Sequence, residues 1–232
     1  MIKYLDKLLE EFSEVKRAEI NKRFFKTNEG EYGYGDIFLG ITVPQCRILA
    51  KQFLNLRLED IKILLNDNIH EKRLIGLLML VEKFKKADKK DKEKIYNFYL
   101  DNLNGVNNWD LVDLTADKII GNFLLDKDKE ILYKLTTGNI WERRIAIIST
   151  FAFIKKNKFD DTFRISEILM NDKEDLIHKA VGWMLREVGK RDKKQLEEFL
   201  YKHYKKMPRT MLRYAIEKFE NEKRIKYLKG KM

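Results

Sequence analysis

The stretch IHEKRLIGLLMLVEKFK, residues Ile69–Lys85, decides how the chain is to be read. Within it Leu74, Leu77, Leu78, Val81 and Phe84 recur at three- and four-residue spacing, the period of one helix face. Its apolar heart, Leu74 to Val81, falls far short of the roughly 20 residues that a bilayer span needs, so the helix belongs inside a protein. Comparable long apolar helices begin near Trp109, Trp141, Ile177 and Thr210. Counted from His70, the starts lie 39, 32, 36 and 33 residues apart, and a shorter amphipathic stretch precedes each. A helix pair repeated at this period is the mark of a HEAT-like or ARM-like solenoid, in which equivalent helices of successive units line one concave surface. Residue identity between units is low, so the repeat is one of pattern, and a single irregular bundle is the competing arrangement. The expected architecture is an all-α helical-repeat solenoid with a concave basic groove, formed as a single domain over residues 1–232.

The rest of the chain fits this frame. Ile2, Leu5, Leu8, Leu9 and Phe12 form one helical stripe, and residues 15–25 continue as a second. Further helices are expected over 58–65, 92–102, 109–120, 130–136, 140–155, 161–170, 174–190, 194–204 and 209–220. Gly30, Gly33, Gly35 and Gly40 mark a loop, and no strand leads into it to make a nucleotide-binding fingerprint. Thr42 and Pro44 signal the next helix start, as cap and first-turn residue. Lys83 to Lys94 reads as a lysine-rich solvated turn.

Composition narrows the partner class. Hydrophobic residues make up 44% of the chain, enough for a core despite 37% charged residues, and two prolines leave helices uninterrupted. The net charge of +11 points to a polyanion, either nucleic acid or an anionic surface, although lysine kept only for solubility would give the same number. Lys3, Asp6, Lys7 and Glu10 break up any apolar leader, and no membrane partner is expected. Cys46 is the only cysteine, which excludes an internal disulfide and suits the reducing cytoplasm. A monomer is expected.

The chemistry-bearing residues fall on the repeats. Asn107-Asn108-Trp109-Asp110-Leu111-Val112-Asp113 opens the second long helix, where Trp109 and Asp113, four apart, share a face. Asp110 points elsewhere and, near the helix start, favours the dipole. Trp141-Glu142-Arg143-Arg144 comes one repeat later, and Lys179-Ala180-Val181-Gly182-Trp183-Met184-Leu185-Arg186-Glu187 another repeat on. Each residue singly has a plain structural explanation: tryptophan in a core, aspartate in an ion pair, arginine in solvent. Together, an aromatic, an acid, a base and a second aromatic at repeat spacing in a basic protein favour a functional surface. His70, His178 and His203 are scattered, with no ligand spacing toward Cys46, so no metal site is expected. No Ser/His/Asp set, P-loop or zinc-deaminase motif occurs.

These stretches, with Phe38-Leu39-Gly40-Ile41 and the following Pro44 and Arg47, resemble the AlkD-type family of DNA glycosylases, in the family's order over most of the chain. The resemblance implies HEAT-like repeats and a base-excision-repair hydrolase that removes N3- and N7-alkylated purines from double-stranded DNA without flipping the base. It places the catalytic aspartate at Asp113, the sugar-contacting tryptophans at Trp109 and Trp183, and the cleft arginine at Arg144. Arg143, Arg186 and Lys179 join Arg144 as candidate DNA-binding cations. The Gly30–Gly40 loop receives no role, and no cofactor or metal is implied. Two other readings share much of this pattern. One is a HEAT-repeat protein that recognises damaged or unusual DNA without cutting it; the other is a protein-binding scaffold, against which the positive charge counts.

Overall fold

Short helices alternate with buried ones along the chain, and no strand forms in the computed structural model, which describes every residue from Met1 to Met232. A lone parallel bridge between Ile37 and Ile69 is the only ladder-type pairing. The chain divides into two compact units, Met1–Thr115 and Ala116–Met232. None of the helices is long and apolar enough to cross a membrane.

The first unit holds α1 (Ile2–Phe12), α2 (Val15–Phe24), α3 (Val43–Gln52), α4 (Leu58–Leu65), α5 (His70–Lys86), α6 (Lys89–Asp101) and α7 (Trp109–Asp113). Every residue of α5 from Leu74 through Val81 is buried, so this helix is enclosed on all sides, chiefly by α3 and α4. Thr42 caps α3 through a capping box with Gln45, and Pro44 lies in the first turn. Residues Gly30–Gly40 contain no helix, as their glycines require. Gly40 is the sharpest case: its φ is +81°, and a Cβ there would lie 2.3 Å from the Glu14 carbonyl oxygen.

The second unit holds α8 (Glu130–Leu135), α9 (Ile140–Ser149), α10 (Phe151–Ile154), α11 (Asp160–Ile168), α12 (Asp175–Gly189), α13 (Lys193–His203), α14 (Arg209–Ala215) and α15 (Asn221–Leu228). Here α12 is the central element, with Ile177, Ala180, Val181, Met184, Leu185 and Val188 buried and with α9, α13 and α14 packed around it. Gly182 sets the α12–α14 approach, since a Cβ would come within 2.5 Å of the Met211 carbonyl oxygen and of the Tyr214 Cβ.

Four elements depart from the sequence expectation. The helix expected over 109–120 stops at Asp113 and resumes as a π turn at Asp117–Gly121. Thr115 supplies the cause: its hydroxyl back-bonds to the Leu111 carbonyl at 2.5 Å and also meets the Tyr99 hydroxyl. Thr150 divides 140–155 in the same way through its bond to the Ile147 carbonyl. Between Lys83 and Lys94 only Ala87 and Asp88 lie outside helices, because Asp88 caps α6 immediately. Finally, 209–220 is helical only to Ala215, and α15 adds a helix that the apolar spacing did not suggest.

Candidate functional site

In the first unit, α7 is five residues long, too short to be stable on hydrogen bonds of its own. Trp109 opens it and is half-buried. Phe25 stacks on the indole at 5.1 Å with the rings 10° apart, and Phe24 meets it edge-on at 5.6 Å. Phe25 is stacked in turn on Phe38, and these two rings with Ala18 form the small core against which Trp109 packs. Asp113 lies one turn on and is partly exposed. The expected pairing of aromatic and acid on one helix face is therefore present.

Beneath Trp109 lies a polar network that sequence reasoning missed. Asp110, expected only to complement a helix dipole, is buried, and its Oδ2 accepts from Nε2 of His70 at 2.8 Å. His70 Nδ1 lies 3.2 Å from Asp36 Oδ2, which also accepts from the Asn108 side-chain amide. Arg73 completes the set, donating to Asp36 Oδ1 at 2.6 Å and to the Asp67 carbonyl. The four charged side chains are at most 8% exposed, so they persist only because two acids face two cations. Burial alone would push the His70 pKa down. The Asp110 charge and the hydrogen bonds to Asp110 and Asp36 outweigh it and raise the value to about 9. For Asp36, burial acts upward, but His70 and Arg73 hold its pKa below the ordinary carboxylate value.

The Gly-rich loop, to which the sequence assigned no role, thus supplies Asp36. Glu71 secures its end, accepting from the backbone N–H groups of Leu39, Gly40 and Ile41. Only the glycine spacing in the sequence hints at this loop, and no ligand-type spacing marks a histidine held by two remote acids.

In the second unit, Trp183 is half-buried on α12. Its indole N–H donates to Glu187 at 3.3 Å, and Phe151 lies tilted 6.0 Å away. Lys155 sits over the Phe151 ring at 4.0 Å while pairing with Asp117 of the π turn at 2.7 Å. Arg144 is buried and donates to the Leu176 carbonyl. Arg143 grips Asp172 through Nε at 2.7 Å and also donates to the Gly138 carbonyl. Arg186 pairs with Glu217, and Lys179 pairs with Asp175 at 2.8 Å on a largely open helix face. Of the expected sites, then, Trp109 and Asp113 belong to the first unit, and Arg143, Arg144, Lys179, Trp183 and Arg186 to the second.

The sequence model of a family described as DNA alkylation repair enzyme matches residues 5–219. Among curated proteins, none matches the chain. Among solved structures, a predicted DNA alkylation repair enzyme from Enterococcus faecalis superposes with a TM-score of 0.68. It is 18% identical, and the match covers 90% of this chain and 97% of that one, a likeness of fold.

Proposed function

The chain belongs to the DNA alkylation repair enzyme family, and from that premise we propose that it is a DNA glycosylase for N3- and N7-alkylated purines in duplex DNA. The observation that carries this reading is the pairing of Trp109 with Asp113 on one face of an anchored α7, the acid partly exposed.

Alkylation at N3 or N7 makes the purine cationic, so it departs as a neutral base once the C1′–N9 bond breaks and the electron pair passes to the ring. No acid is required to protonate it. Positive charge then develops on the deoxyribose. A fixed carboxylate at Asp113 stabilises that charge, an electrostatic effect on the order of 3–4 kcal/mol. The same carboxylate orients the water whose oxygen bonds to C1′ and whose proton leaves to the carboxylate or to solvent, giving an abasic site and free base. One face of Trp109 is taken by Phe25, so the cationic sugar meets the remainder of the indole, an attraction of roughly 0.5–2 kcal/mol. Trp183, in the second unit, is the other candidate aromatic surface. Chemistry from the backbone side leaves the base stacked and unflipped. Lys179, exposed beside Asp175, contributes a phosphate contact, whereas Arg143 is committed to Asp172, Arg144 to the Leu176 carbonyl and Arg186 to Glu217. The net charge of +11 supplies the wider attraction.

The deciding experiment is incubation of methylated duplex DNA with the purified protein, followed by chromatography of the released bases. Free 3-methyladenine or 7-methylguanine is expected. Tight binding of the duplex with no released base overturns the reading in favour of a non-cutting DNA-binding protein.

A further inference from the structure

We propose that His70 is a positioning residue: by bridging Asp36 of the Gly-rich loop and Asp110 of α7 it fixes the segment that presents Trp109 and Asp113. The assignment of a reaction to that segment rests on the glycosylase reading; the positioning itself does not.

The geometry is specific to Trp109. Both of its chain neighbours are held by the same pair of buried side chains. Asn108 donates to Asp36 and accepts the Trp109 backbone N–H at 2.8 Å. Asp110 accepts from His70 through Oδ2, while its Oδ1 accepts the Leu111 backbone N–H at 2.9 Å. The imidazole also lies against Phe38 at 4.6 Å and Phe25 at 5.0 Å, the rings that carry Trp109. A helix of five residues is not ordered by its own bonds, so these distant partners set its direction.

A doubly protonated ring donates to both carboxylates, whereas a neutral imidazole has one N–H and must release one of them. The charged groups facing His70 are Asp36 from the loop, Asp110 from α7 and Arg73 from its own helix. Cys46 of α3 lies near Asp110 and Glu71 as a thiol, its pKa pushed up to about 12 by burial. Arg73 is committed to Asp36, so if the His70 Nε2 proton is lost Asp110 keeps only the Leu111 backbone N–H.

Amide hydrogen exchange on the full-length protein tests the positioning without any reaction. Protection factors of residues 109–113 should fall by ~10-fold or more in His70→Gln at pH 7, while those of α12 keep their values. In the wild type the same protection should be lost with a midpoint near pH 9, a measurement that stands even if the variant does not fold. In parallel, the single-turnover rate of base release should drop about 10–100-fold in His70→Gln with duplex affinity within about twofold, because misplacement acts on rate more than on binding. The wild-type rate should show the same alkaline limb, and the variant should not. Unchanged protection at 109–113 in both the variant and the alkaline wild type overturns the proposal. So does an unchanged release rate in an active His70→Gln protein. If the wild type releases no base yet its local protection follows this pattern, the glycosylase reading fails and the positioning stands.

Discussion

Trp109 and Trp183 are matched aromatics in two different kinds of support. Trp183 stands mid-way along a fifteen-residue helix, and its nearest polar partner, Glu187, is one turn further on the same helix. Trp109 opens a five-residue helix, and what steadies it comes from Phe25, Asp36 and His70, residues 39 to 84 positions earlier in the chain. Where a long helix exists, its own backbone ladder fixes the direction of a side chain. Where the helix is cut short, as Thr115 cuts α7, the direction must be imposed by tertiary bonds, and those bonds bring buried charge with them. One tryptophan is held by secondary structure, the other by an electrostatic network.

The largest expected effect tests whether the networked region is the one that performs chemistry. Asp113→Asn keeps shape and hydrogen-bonding capacity but removes the negative charge, so base release should fall ~100-fold or more. Melting temperature and duplex affinity should stay nearly unchanged, since the charge matters only when the sugar turns cationic. Release at the wild-type rate would move the acid elsewhere and end the comparison in this form.

Next comes pH, which should separate the two regions. The His70 pKa of about 9 lies above its ordinary value of 6.5, so its stabilisation is complete below pH 6.5 and lost as pH rises through 9. The shift corresponds to about 3 kcal/mol. Urea unfolding between pH 6 and 9.5 should show a loss of this order in the wild type and little in His70→Gln. Cys46, whose thiol is pushed by burial from an ordinary 9.0 up to about 12, adds a smaller loss near the top of this range in both proteins. Tyr133 and buried Tyr227, also pushed up to about 12, matter chiefly above it. The acids and cations around Phe151 and Trp183 are Asp117, Glu187, Lys155 and Arg191, with no histidine among them, so hydrogen-exchange protection in α12 should not follow the His70 titration.

What the sequence disclosed follows the same division. The α12 region was legible: apolar spacing placed its helix within a residue at each end, because a helix of that length is written locally. Trp109 and Asp113 were legible as a face. Asp36, His70 and Asp110 were not, since no short-range pattern links positions 36, 70 and 110. Nor did periodicity foresee the breaks at Thr115 and Thr150. Both threonines continue the helical spacing, and each interrupts its helix through a hydroxyl bond to a carbonyl three or four residues back.

A pair of glycines sharpens the comparison at smaller cost. Gly40→Ala puts a methyl against the Glu14 carbonyl at a φ of +81°, and Gly182→Ala puts one against Met211 and Tyr214. Each should destabilise by about 1–3 kcal/mol through overpacking, seen as a lower urea midpoint. The effects should differ in kind. Gly40→Ala displaces the loop that carries Asp36 and should lower protection in α7, whereas Gly182→Ala should loosen α12 against α14 alone. Equal loss of protection in α7 from both would mean that its support is not confined to the loop.

The smallest effect concerns the candidate phosphate contacts. Lys179 and Arg143 are both ion-paired, yet the pairs differ in exposure. Lys179 and Asp175 are 41% and 56% exposed, so exchanging Asp175 for a phosphate costs little. Asp172, the partner of Arg143, is only 6% exposed, and pulling the guanidinium toward DNA would leave that buried charge with only the Glu174 backbone N–H. Lys179→Ala should therefore weaken duplex binding uniformly across sequences and reduce the slope of log K against log salt by about one. Arg143→Ala should leave that slope nearly untouched and instead lower the urea midpoint, as a buried Asp172 without its cation requires. Should the two variants exchange these signatures, Arg143 becomes the phosphate contact and Lys179 a surface charge.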